Sequence, residues 1–314
     1  MRKILSVVVL FCFMAVNAQT SLSDVVTLKD LTYKKAETAQ HKLDIYLPQK
    51  SEKKSPVLIF VHGGGWVGGS KSFPEGYYMN DFIVKFVQER YAVVSITYTL
   101  LNDKTHFPAP VEDCKEAIRW IRANSVKYNF DDSNIGLWGA SAGAHIGMLA
   151  AFSDEDQFAG NSNLPNYSAK VNYVIDYFGP ADLNGLFRTE TAGFKIFLFK
   201  LFFPKIYKMR NNMIFGFTAL DIKKDKKEAV SRLKLYSPVS YVNKNTVPTL
   251  IIHGTKDKIV PFKESEHLKE ILDENKIENE LVPIKDGDHG LHDASGHALM
   301  LQKTVDFAKA HTKQ

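Results

Sequence analysis

Apolar residues along the chain fall into two rhythms. Short runs rich in Val, Ile, Leu and Phe recur as KLDIYLP, PVLIFVH, YAVVSITY, NIGLWG, VNYVIDYFG, VPTLIIHG and ENELVPI, and DVVTLKDLTY predicts an earlier strand or two. Several runs are continuous, which predicts strands buried on both faces of a sheet. Between them lie stretches with apolar positions at helical spacing: GYYMNDFIVKFVQER, PVEDCKEAIRWIRANS, SAGAHIGMLAAF and FKESEHLKEILDEN. Pro110 opens the second of these. A final helix is predicted in ALMLQKTVDFAKA. Alternation of this kind predicts an α/β fold with a mostly parallel central sheet flanked by helices.

One region, residues 183–235, breaks the alternation. It offers no clear strand, and its middle, GFKIFLFKLFFPKIYKMRNNMIFGF, is dense in Phe, Ile and Lys. Lys200 and Pro204 interrupt it too often for a membrane span. It is expected to be a helical lid or cap insertion on the main fold, serving as packing, as a cover over a site, or as both. A cover of this composition could touch a membrane surface.

The first twenty residues read MRKILSVVVLFCFMAVNAQT. A basic start, an apolar run and Val16-Asn17-Ala18 predict a secretory signal over residues 1–18, cleaved before Gln19. The main domain would then be 19–314, and the protein exported, periplasmic or secreted. A retained anchor is the competing expectation, although the run is short for a span. A lipoprotein would need Cys12 as the modified residue, and Phe11 before it is too bulky. Only Cys114 remains after cleavage, within a helical pattern, so it is expected to be a buried small residue rather than a reactive thiol. Of the net charge of +5, Arg2 and Lys3 fall in the leader, and the remainder is too mild to argue for nucleic acid as a partner.

Two motifs carry chemistry. Gly139-Ala140-Ser141-Ala142-Gly143 fits G-x-S-x-G, entered by a strand and left by a helix. A sharp turn there would expose the serine hydroxyl above the sheet, with the helix N-terminus pointing its amides at the same place. Serine needs a base, and the base needs an acid to orient it. Downstream, Asp257 follows the strand ending at His253-Gly254, and His289 follows the last strand. Both fall where ligands bind in open α/β sheets, at the C-terminal ends of strands. Ser141, Asp257 and His289 are therefore the expected nucleophile, acid and base. Asp182 and Asp288 are other acids, and His292 and His297 other bases. His253 and His145 are expected to be structural.

The second motif, His62-Gly63-Gly64-Gly65-Trp66, follows the apolar run VLIF. Attack on a carbonyl makes an oxyanion, which needs amides already aimed at it. The expected donors are the amides of Ala142, Gly64 and Gly65, with Gly63 as the substitute. A phosphate loop would need Gly-Lys-Ser where the chain has Gly69-Ser70-Lys71. A metal site in DGDHGLHDASGH lacks compact ligand spacing. The chemistry calls for no cofactor and no metal.

These motifs, with SPVSYV, HGTKDKIVP and DHG, make the chain resemble the α/β-hydrolase superfamily, specifically serine carboxylesterases with an HGGG loop. Hormone-sensitive-lipase-like esterases usually carry G-D-S-A-G, where this chain has Ala140. LDIYLP, HGGGW and GASAG together are more similar to bacterial acetylxylan/feruloyl esterases of the BD-FAE-like type. The resemblance implies an α/β-hydrolase fold and hydrolysis of short-acyl esters, including acetyl or feruloyl groups on glycans. The Phe/Lys-rich insertion departs from an open groove and keeps small lipophilic esters in play. An amide hydrolase on the same machinery, a peptidase or arylformamidase, is one alternative. A non-catalytic binding protein on the hydrolase fold is another.

Overall fold

The computed structural model describes residue 22 and residues 25–34, 41–49, 52–74, 77–291 and 296–313. The predicted signal at 1–18 and the candidate base His292 lie outside the described residues.

Eight strands form one sheet in the order β1-β2-β4-β3-β5-β6-β7-β8. They are β1 (Val26–Thr32), β2 (Lys42–Leu47), β3 (Ser55–Val61), β4 (Ala92–Ile96), β5 (Phe130–Ala140), β6 (Tyr173–Tyr177), β7 (Thr249–Gly254) and β8 (Asn279–Ile284). β2 pairs antiparallel with both β1 and β4; every pairing from β4 across to β8 is parallel. The predicted, mostly parallel α/β sheet is therefore present, and DVVTLKDLTY supplies one strand.

The continuous apolar runs bury both faces. In β3, Val57, Ile59 and Val61 enter one core, while Leu58 and Phe60 enter the other. This is the two-residue period of a pleated strand. Helices α2 (Ala109–Ala123), α4 (Ala142–Phe152) and α9 (Lys263–Glu274) cover the first face, and α1 (Met79–Gln88) and α10 (His297–Ala310) the second. A short α3 (Ser125–Tyr128) extends the turn after α2. Cys114 is wholly buried in α2 and free, as a small core residue.

The strand order positions the site. β3 and β5 are neighbours, yet the helices that follow them, α1 and α4, lie on opposite faces. Chains diverge there and leave a crevice at the carboxyl ends of the strands. The HGGGW loop leaves β3 and the GASAG turn leaves β5, so both motifs open into that crevice.

Residues 183–235 are helical: α5 (Leu183–Leu186), α6 (Gly193–Phe202), α7 (Pro204–Thr218) and α8 (Lys226–Leu235). The end of α7 is packed, with Ile214, Phe217 and Thr218 buried. None of the ten residues of α6 is buried.

Candidate active site

Ser141 stands between β5 and α4 with φ 55° and ψ −121°. A side-chain-bearing residue at positive φ is strained, and it persists only where its surroundings hold it. Here the Ser141 amide donates to the Tyr177 carbonyl at 2.8 Å, and the Ser141 carbonyl accepts from the His145 amide at 3.1 Å. Two residues on, Gly143 lets α4 press against β3: a Cβ there would strike the Val61 and His62 carbonyls. The Ser141 amide is therefore committed to the sheet. Ala142, first residue of α4, presents the elbow's amide with no carbonyl one turn behind it.

His289 Nε2 lies 3.0 Å from Ser141 Oγ, and His289 Nδ1 lies 2.7 Å from Asp257 Oδ2. Asp257 is buried, and burial alone would raise its pKa. Hydrogen bonds from His253 and His289, with the Ile259 amide, outweigh that and hold it well below the usual carboxylate range. An ionised carboxylate only accepts, so Nδ1 of His289 carries the proton and Nε2 offers its lone pair to the serine hydroxyl. Asp257 Oδ1 accepts from the amides of Ile259 and Val260 at 2.8 and 3.0 Å. The Phe178 ring stands edge-on to His289, with centroids 4.9 Å apart.

The other candidates have different partners. Asp182 caps α5, accepting from the Asn184 amide at 2.9 Å. His297 donates to the Leu291 carbonyl at 2.7 Å and stacks on Tyr78. Asp288 is the residue before His289, whose ring faces Asp257 and Ser141. His253 is fully buried and is a second imidazole on Asp257: its Nε2 faces both Asp257 Oδ2 at 3.1 Å and the Val260 carbonyl at 2.9 Å. Two acceptors fix the proton on Nε2, so Nδ1 accepts from the Ser265 hydroxyl at 2.6 Å.

The glycine loop is braced from several directions. Gly64 has φ 115°, and a Cβ there would strike Gly68, whose amide donates to the Gly64 carbonyl at 3.0 Å. Gly63 lies against the elbow, its Cβ position 3.4 Å from Ser141 Cβ. Among the described residues, no hydrogen bond occupies the Gly64 or Gly65 amide. The loop does not run into a helix, since α1 begins only at Met79. Lys71, which a phosphate loop would use, is instead buried in ion pairs with Asp44 at 2.7 Å and Asp30 at 2.9 Å.

Sequence reasoning missed the connector behind this loop. Trp66, at φ 63°, donates from Nε1 to His145 Nδ1 at 3.2 Å. His145 Nε2 then donates to the Tyr236 carbonyl at 2.8 Å, just beyond α8. One neutral imidazole thus joins the glycine loop, the helix after Ser141 and the end of the insertion. Its burial lowers its pKa from 6.5 to about 4, against the pull of the Tyr236 carbonyl. The unfolded imidazole takes up a proton at higher pH than the folded one. This contribution to stability is therefore complete above about pH 6.5 and is lost as pH falls toward 4, amounting to about 3 kcal/mol. Denaturant unfolding of wild type and His145→Gln at pH 7 and pH 4.5 measures it. The variant should lose less stability on acidification; equal losses would reject the assignment.

Comparison with known proteins agrees with this architecture. Esterase LipC of Mycobacterium tuberculosis is 30% identical over 70% of this chain, which spans 49% of that protein. The chain thus spans about half the length of this relative. A solved truncated form of a carbohydrate esterase from gut microbiota superposes with a TM-score of 0.72 at 23% identity, over 90% of this chain and 96% of that one. Thermogutta terrifontis esterase 2 phosphorylated by paraoxon superposes with a TM-score of 0.66 at 19% identity, over 91% of this chain and 94% of that one. These likenesses establish the α/β-hydrolase fold. The BD-FAE family model matches residues 43–272, most of the chain and all of β3 through α9 but its last two residues, and the chain belongs to the BD-FAE family.

Proposed function

We propose that this protein is a serine esterase that hydrolyses carboxylic esters through an acyl-enzyme. The observation that carries the proposal is the unbroken line from Ser141 Oγ to His289 at 3.0 Å and on to Asp257 at 2.7 Å. Ser141 attacks the ester carbonyl while His289 Nε2 takes its proton. Asp257 holds the ring in the required tautomer and stabilises the imidazolium. The oxyanion is received by the amides of Ala142, Gly64 and Gly65, each such donor being worth about 100-fold or more in rate. His289 then protonates the departing alcohol, activates water, and the acyl-enzyme is hydrolysed. No group outside the chain is needed.

The names of similar proteins, an esterase, a carbohydrate esterase and an esterase that paraoxon phosphorylates, support this reading. We assign short acyl groups, acetyl esters of glycans foremost, as the substrates, and export as the destination on the strength of the N-terminal pattern. Hydrolysis of p-nitrophenyl acetate, butyrate and octanoate, beside acetylated xylan and a matched anilide, tests the assignment. Acetate should be preferred, acetate released from xylan, and the anilide cleaved far more slowly. Preference for octanoate with no action on xylan would sink the glycan assignment, and faster anilide cleavage would make the protein an amidase.

A further inference from the structure

Helices α6 and α7 form a hairpin that projects from the fold. Its root is secured: Phe217 packs on Trp66 and Phe107 at centroid distances of 4.8 and 4.7 Å, and Arg210 Nε donates to the Phe187 carbonyl at 2.6 Å. Its tip is not. Seven of the fourteen exposed large hydrophobic side chains among the described residues lie between positions 194 and 209. Phe194, Phe197 and Leu201 form a stripe along α6, Phe202 ends that helix, Phe203 makes the turn, and Met209 continues on α7. Exposure is 71% for Phe194 and 68% for Phe202, too great for packing on the protein's own core. A concentration of this kind marks a surface that meets something apolar.

Charge narrows the occupant. From Thr191 to Leu220 there is no Asp or Glu, while Lys195, Lys200, Lys205, Lys208 and Arg210 are all basic. The four lysines are exposed, and among the described residues none has an acidic partner. A protein partner core would disfavour so many unpaired ammonium groups, whereas lysine stems beside a Phe stripe suit a lipid headgroup layer. No described helix is long and apolar enough to cross a membrane, so the hairpin would lie in the interface rather than span it.

We propose that the α6–α7 hairpin docks on an anionic phospholipid surface, its phenylalanines entering the acyl boundary and its lysines meeting the headgroups. The inference is independent of the reaction assigned to Ser141. Flotation of the full chain with vesicles of phosphatidylcholine, alone or mixed equally with phosphatidylglycerol, tests it. Every variant shares the wild-type N-terminal segment, so differences report the hairpin alone. Wild type should bind the anionic vesicles, more weakly in high salt. Lys200→Gln with Lys205→Gln should weaken binding about 30-fold, each lysine near an anionic surface contributing roughly a factor of five. Phe194→Ser with Phe197→Ser and Phe202→Ser should abolish it. All five positions are exposed, so the variants should unfold as wild type does. Equal binding by wild type and variants would overturn the proposal, as would equal binding to both vesicle types. So would a hairpin-dependent dimer in sedimentation with no vesicle binding, which would give the face to a second copy.

Discussion

Ser141→Ala is expected to reduce ester hydrolysis by about 10,000-fold or more while leaving the fold in place. The hydroxyl oxygen is the atom that forms the acyl-enzyme, and it is the hydroxyl to which His289 Nε2 is hydrogen-bonded. The residue that remains would come from the oxyanion amides, which still polarise a bound carbonyl. The fold should tolerate the change for a specific reason. The strain at φ 55° belongs to any residue with a Cβ, so alanine adds none. Both bonds that hold the turn, to Tyr177 and His145, use the backbone of residue 141. Stability should therefore stay within about 0.5 kcal/mol of wild type. Turnover of p-nitrophenyl butyrate, with denaturant unfolding as the control, measures both. A stable variant with activity within tenfold of wild type would remove the serine mechanism.

The strands were legible because strands buried on both faces are written as unbroken apolar runs, and VLIFV or TLIIHG has no polar face to show. The three candidate residues were legible for a related reason: each follows a segment with strand character, where a strand must end in a loop at one edge of the sheet. Contacts made across the chain were another matter. His145 sits in an apolar helix and reads as packing, since its partners Trp66 and Tyr236 lie 79 and 91 residues away. The second imidazole on Asp257 was equally hidden, because His253 lies at the end of a strand and Asp257 in the loop beyond it, a spacing that implies no fixed direction. For the insertion, the lack of strand periodicity showed helices. Whether its phenylalanines are buried depends on what lies opposite them, and α6 and the end of α7 share a composition while differing in burial.

That second imidazole makes Asp257→Asn the more demanding substitution, with an expected loss of about 10,000-fold in kcat. The side chain is clamped from both ends. Oδ1 accepts from two backbone amides, Ile259 and Val260, so the oxygen of an asparagine must occupy that side. Its NH2 group then takes the place of Oδ2, facing the ring nitrogens of both His289 and His253. For His289 the remedy is a tautomer shift: Nδ1 gives up its proton and accepts from the amide, and Nε2 becomes protonated. That ring can no longer take the proton of Ser141. For His253 no clean remedy exists. If Nε2 accepts from the amide, its lone pair faces the Val260 carbonyl at 2.9 Å; if it keeps its proton, two donors face each other. The variant should therefore lose stability as well as turnover, by about 1–3 kcal/mol for the unsatisfied buried group. Asp257→Asn combined with His253→Phe removes the second donor and separates the effects. Stability should partly recover in the double variant while kcat stays low, since His289 keeps the wrong tautomer. Recovery of kcat together with stability would mean that Asp257 acts only by holding the loop.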